Sequence, residues 1–167
     1  MLKHVLPFKI TAALVLVLAL SGRAAAQDAT LTLAGDIPTP TTLTIAQMKA
    51  MPRAQVTVQE DGGPVVYEGV ALTELLKRAG APTGAELRGN NLASYLVAVA
   101  RDGYQVVFSL AEVDPGLTRA VVIVADSIDG KPLFDYQGPF RIIVSNDSRP
   151  ARSVRMLQRI DIVRLRK

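Results

Sequence analysis

The sequence predicts an α+β domain built mostly of short strands, with two or three small helices. Three observations carry that prediction. Short apolar runs recur between turn clusters at Asp61 to Pro64, Asp102 and Gly103, and Asp129 and Gly130, the pattern of strands joined by tight turns. Two stretches, around Met48 and around Leu75, instead place apolar residues at helical spacing. Finally, Ile142, Ile143 and Val144 follow Gly138, Pro139 and a single charge, Arg141. A branched apolar run entered through Gly and Pro reads as a buried strand, which fixes Arg141 at the lip of a core.

Taken in order, Ala29 to Leu33 alternates as a short strand, and Gly35, Pro38 and Pro40 turn the chain over. Leu43 to Met51 reads as a helix with a capping box, Thr44 and Gln47, a staple of Leu43 on Met48, and Pro52 beyond its end. Val56 and Val58 restart the strand period, the Asp61 to Pro64 loop makes a hairpin, and Val65 to Tyr67 returns. Leu72, Leu75, Leu76 and Ala79 then fall at i, i+3, i+4 and i+7, Glu74 faces Arg78, and Gly80 and Pro82 stop the helix. Leu92 to Ala100 and Tyr104 to Phe108 are strands across an Asp-Gly turn. Val121 to Ala125 is apolar without alternation, which predicts a central strand covered on both faces. Along Arg155 to Arg166, Ile160 and Ile162 alternate and then Val163 and Leu165 take the opposite parity, predicting a bulge or strong twist near Ile162.

Residues 1–26 read as a secretory signal peptide. Lys3 and Lys9 give the basic start, Ile10 to Leu20 the apolar stretch, and Ala24 to Ala26 the cleavage site, so the exported chain begins near Gln27. The eleven residues of that apolar stretch are too few for the about 20 that a bilayer core requires. The expected location is therefore periplasmic or secreted, with a single domain over residues 27–167 and no transmembrane segment after cleavage.

Cleavage takes Lys3, Lys9 and Arg23 away and leaves 16 basic residues facing 15 acidic ones. So near-neutral a chain gives no reason to expect nucleic-acid binding, which draws on a concentrated basic face. Charge is concentrated locally: residues 149–167 hold seven basic residues against Asp161, so an acidic periplasmic or membrane partner would go there. No cysteine occurs, and the one histidine, His4, lies in the leader. The expected domain thus has no disulfide, thiolate nucleophile, imidazole base or ordinary zinc, copper or haem ligand set. Ser109, Ser127 and Ser145 have no histidine to activate them, which leaves no serine hydrolase chemistry.

Four landmarks run in order along the chain: residues 67–80 (YEGVALTELLKRAG), 100–112 (ARDGYQVVFSLAE), 124–133 with 138–147 (VADSIDGKPL and GPFRIIVSND), and 153–163 (SVRMLQRIDIV). Together the set resembles the molybdopterin-binding domain of the sulfite oxidase family in its short periplasmic form. The resemblance implies a mixed, barrel-like α+β fold in which the cofactor lies in a cleft lined by backbone and basic side chains. It matches Arg141 to the family's arginine after a Gly-Pro turn, and Arg155 to a basic residue on the final strand. Guanidinium, with its fixed paired donors, suits a pyrophosphate.

The chain departs from that family in three places. Catalytic members hold the metal through a cysteine thiolate, absent here. Cofactor-loaded members leave the cytoplasm folded behind a twin-arginine signal, whereas this leader has no arginine pair. Ser145 stands where the family commonly has proline. The reading that follows is a non-catalytic member, with no cofactor and no metal ligand, that binds a small anionic ligand or a partner protein at an arginine-lined cleft. The candidate cleft residues are Arg141, Arg155, Arg149, Asp102, Tyr104 and Ser145. Competing readings pair Arg141 with Asp126, Asp129 or Asp135, and give Asp102 and Tyr104 to turn and cross-strand roles. Two alternatives stand beside it: an oxidoreductase that carries molybdopterin without a protein thiolate, and an interaction module using the basic C-terminal strand, with Arg152 and Arg159, in salt-sensitive association.

Overall fold

The computed structural model describes residues 29–165. The leader expected over residues 1–26 and its cleavage point lie outside them. Strand β1 (Thr30–Gly35) leads to β2 (Thr41–Thr44), helix α1 (Ile45–Lys49), the hairpin of β3 (Ala54–Glu60) and β4 (Gly63–Ala71), and helix α2 (Leu72–Arg78). The hairpin of β5 (Ser94–Ala100) and β6 (Gln105–Ser109) follows, then β7 (Val122–Ile128), β8 (Lys131–Pro132), β9 (Arg141–Val144) and β10 (Leu157–Arg164).

The two helices form where the local signals lie. Thr44 Oγ1 accepts the Gln47 N–H at 3.2 Å while Gln47 Oε1 accepts the Thr44 N–H at 2.9 Å, a reciprocal cap that starts α1. Leu43 and Met48 are both buried, as the staple requires. Helix α2 has no side-chain cap and leaves β4 directly; its hold on the fold is the burial of Leu72, Leu75 and Leu76.

One sheet has the order β2-β1-β10-β5-β6, with β1 and β10 parallel and the remaining pairs antiparallel. Its strand β5 alternates strictly between buried and half-buried residues, so one face meets the core. The other sheet runs β3-β4-β7, and the far edge of β7 is shared by β8 and β9. Neither sheet closes on itself.

A large cluster joins both sheets and both helices, with Leu33, Met48, Leu75, Phe108, Ile142 and Ile160 among its members. A smaller one, Val56, Tyr67, Ile123, Ala125, Leu133 and Ile143, covers the opposite face of the second sheet. Along β7, Val122 and Val124 go to the first and Ile123 and Ala125 to the second. That is why the run lacks polar alternation.

Strand β10 corrects two expectations. Its register shift falls between Leu157 and Arg159, not near Ile162, and pairing from Arg159 to Arg164 is regular. Val163 and Leu165 are apolar residues on the outer side, half-buried and exposed respectively, so their parity signals no bulge. Arg155 precedes the strand, because Met156 takes a left-handed φ of 49° that interrupts the extended path.

Candidate anion-binding groove

The alternation that seats Ile142 and Val144 in the large core turns Arg141 and Ile143 toward the smaller cluster. Arg141 is only 2% exposed. A guanidinium stays charged in a protein, so its burial demands partners. Strand β4 supplies Tyr67, fully buried, whose Oη accepts from Nη1 of Arg141 and whose ring centroid lies 5.0 Å from the guanidinium carbon. Gln137, in the turn Asp135–Gln137, accepts from the same nitrogen through Oε1. Ala125 is the register partner of Arg141 on β7, and its small side chain leaves this face open for the guanidinium.

Charge balance comes from the tip of the β3–β4 hairpin. Tyr67 Oη donates to Oε1 of Glu60 at 2.8 Å, and that oxygen lies 3.7 Å from Nη1 of Arg141. The balance is partial, because the Nε of Arg141 is buried with no hydrogen-bond partner. Burial pushes the Tyr67 phenol up to about 12, the bond to Glu60 adds to the rise, and Arg141 opposes it. Burial likewise holds the Arg141 guanidinium below its ordinary value; nearby Arg155 reinforces that, and Tyr67 and Glu60 work against it. Two cations that raise each other's energy across one hollow form a place where an anion is stabilised.

The hollow is a groove of about 460 Å³. Three segments line it: the β3–β4 hairpin with Glu60 and Asp61, β9 with Arg141 and Ile143, and the stretch before β10 with Arg149 and Arg155. The structure thus brings three of the six sequence candidates together, Arg141, Arg149 and Arg155. Asp102 and Tyr104 line a neighbouring depression with Tyr136, and Arg155 belongs to both. There Asp102 Oδ1 accepts the Tyr104 N–H at 3.0 Å, a turn bond, and Tyr104 Oη donates to the Ala151 carbonyl at 2.7 Å. Ser145 does not line the groove. Its Oγ accepts the Val121 N–H at 2.9 Å and contacts Asn146, tying the end of β9 to its neighbour.

Two of the three carboxylates expected beside Arg141 are engaged elsewhere. Asp126 takes two bonds from Arg53, at 2.7 and 2.8 Å, and Asp129 Oδ1 accepts the Val66 N–H. Arg152 and Arg159 stand apart from the groove too: Arg152 is held by Asp147 and Glu112 over the Phe108 ring, and Arg159 by Asp161. Tyr67, Glu60 and Gln137 are the residues that sequence reasoning missed. Nothing in their spacing joins them to Arg141. The one available signal was Tyr67 itself, since a buried phenol needs a hydrogen-bond partner.

A family model described as "oxidoreductase molybdopterin binding domain" matches residues 19–166. The chain belongs to that family. Among solved structures, the sulfane dehydrogenase SoxCD from Paracoccus pantotrophus superposes on this molybdopterin-binding domain with a TM-score of 0.63 at 18% identity, over 81% of this chain. At that identity the likeness is one of fold, and it spans 38% of the SoxCD chain. No curated protein sequence matches the chain significantly.

The family implies a molybdopterin, and the donors in the groove fit only part of such a group. Arg141, Arg149 and Arg155 suit an anionic phosphate. The metal end does not fit. The chain has no cysteine, and among the described residues no three His, Cys, Asp or Glu side chains are grouped so as to hold a metal ion.

Proposed function

We propose that this chain is an exported, non-catalytic member of the molybdopterin-binding domain family that binds a small oxyanionic ligand in the groove of Arg141, Arg149 and Arg155. One observation carries the reading: three arginines, Arg141 from the buried strand β9 and the exposed Arg149 and Arg155 before β10, converge on one groove. Guanidinium groups gathered on one hollow suit an oxyanion, which accepts their N–H donors and offsets their charge. Export rests on the leader at residues 1–26, and the absence of thiolate and imidazole from residues 27–167 supports the non-catalytic role.

Titration with inorganic phosphate tests the binding. The expected result is a saturable rise in the thermal midpoint, beyond that produced by sodium chloride of equal ionic strength, which shrinks in the double variant Arg149→Gln, Arg155→Gln. Both residues are exposed, so the variant folds. Identical responses to phosphate and chloride would reject the groove as an anion site.

A second reading is favoured by the family match over residues 19–166. In it the groove holds molybdopterin by its phosphate and the metal takes no protein thiolate, which makes the protein an oxidoreductase. The chemistry of the donor set argues against it.

A further inference from the structure

Within the groove, the carboxylate that faces the Arg141 guanidinium is that of Glu60. Its Oε1 receives the Tyr67 hydroxyl at 2.8 Å and stands 3.7 Å from Arg141 Nη1. The two partners differ sharply in exposure: the Arg141 side chain is 3% accessible, the Glu60 side chain 39%. Glu60 is the last paired residue of β3, opposite Gly63, with only Asp61 and Gly62 between them in the turn. The carboxylate therefore reaches in from solvent, on a hairpin tip, toward a cation fixed in the core.

We propose that Glu60 is a specificity-determining residue: an internal competitor that sets the charge a ligand must carry to enter the groove. The idea rests on the anion-binding reading above. Arg141 and Glu60 together are close to neutral, and Asp61 and Asp147 on the same lining offset much of the charge of Arg149 and Arg155, so a monoanion that approaches Arg141 replaces one carboxylate by another for little gain. An anion of two or more charges has the charge and the acceptor oxygens to engage Arg141 while also reaching Arg149 or Arg155. The ligand class is thus a phosphate monoester or other multiply charged oxyanion, and simple carboxylates and halides are excluded. Tyr67 is the positioning residue, because its one hydroxyl holds both Glu60 and Arg141.

The test compares acetate and inorganic phosphate at pH 8 by calorimetric titration at constant ionic strength, on the whole exported chain and on the variants Glu60→Gln and Asp61→Asn. Asp61 also lines the groove but is not in the ion pair with Arg141, so it reports the general effect of removing one negative charge. The parent is expected to bind phosphate and not acetate. Glu60→Gln should bind phosphate about fivefold more tightly, the scale of about 1 kcal/mol in an ion pair, and should gain measurable acetate binding. Asp61→Asn should change neither by as much as twofold. Equal tightening in the two variants, or a Glu60→Gln protein that still discriminates as the parent does, overturns the role of Glu60 while leaving the groove as an anion site. Failure of phosphate to bind to parent and variants alike rejects the groove itself. Glu60→Ala gives a second route to the same comparison should the glutamine variant misfold.

Discussion

At the scale of single residues, the position of Arg141 follows from its neighbours in sequence, and its partners follow from the fold. The alternation of β9 is a local property, so the entry of a lone charge into a core strand was legible from Gly138 to Val144 alone. Tyr67 and Glu60 come from a hairpin more than seventy positions earlier, and no periodicity encodes that meeting. Asp126, expected beside Arg141, fails for a related reason: it lies close in sequence to the turn, yet Arg53 already occupies both its oxygens. Tyr67 also gives the site a pH signature. Its phenol is raised from an ordinary value near 10 to about 12, so the protonated form is favoured by folding. The stabilisation is then fully present below about pH 10 and is lost as pH rises toward about 12. Thermal midpoints measured across that interval should fall more steeply in the parent than in Tyr67→Phe, which lacks the titrating group. Parallel curves for the two proteins would remove Tyr67 from the alkaline transition.

At the scale of elements, the signals that were local were read correctly and those that were not local were misplaced. Helix α1 was legible because cap, staple and stop all lie within the ten residues Leu43 to Pro52. The irregularity in β10 was misassigned because outward-facing Val163 and Leu165 look like core residues when only composition is visible. The parallel pairing of β1 with β10, Thr32 against Arg159, joins the two ends of the described chain, and no turn chemistry announces such a pairing. A second irregularity, between Glu68 and Gly69 where β4 meets β7, matters more for the groove. A Cβ on Gly69 would lie 2.0 Å from the carbonyl oxygen of Val124, closer than any side chain tolerates, so glycine is what lets β7 approach there. Gly69→Ala forces β7 away from β4 and is expected to destabilise the protein by about 2–3 kcal/mol. Because Arg141 and Tyr67 reach each other across β7, the same variant should also lose phosphate binding. Urea denaturation beside a phosphate titration checks both; a loss below about 0.5 kcal/mol, within the range of ordinary surface changes, would show that β7 has room to spare.

At the scale of the whole molecule, the family fold and the chemistry of the chain point in different directions. The sheet order and the match over residues 19–166 belong to the molybdopterin-binding domain family, whose name describes a metallated cofactor. The groups that line the groove are hard: guanidinium nitrogens of Arg141, Arg149 and Arg155 beside the carboxylates of Glu60, Asp61 and Asp147, with no thiolate anywhere in the sequence. A protein thiolate would add one ligand to the metal of such a cofactor, while phosphate recognition draws on charge and paired N–H donors. On the proposed reading, a groove without cysteine keeps only the phosphate-recognising part of such a site. That reasoning was available from composition alone, whereas the convergence of the hairpin tip, β9 and the stretch before β10 on one groove required the fold. The separation yields a test at the level of the intact protein. Native protein purified from its own host, grown with ample molybdate, is expected to contain molybdenum and pterin far below one per chain. The same material is expected to respond to inorganic phosphate. Stoichiometric molybdenum that survives gel filtration would show that the metal is held without a protein thiolate and would make the oxidoreductase reading the correct one.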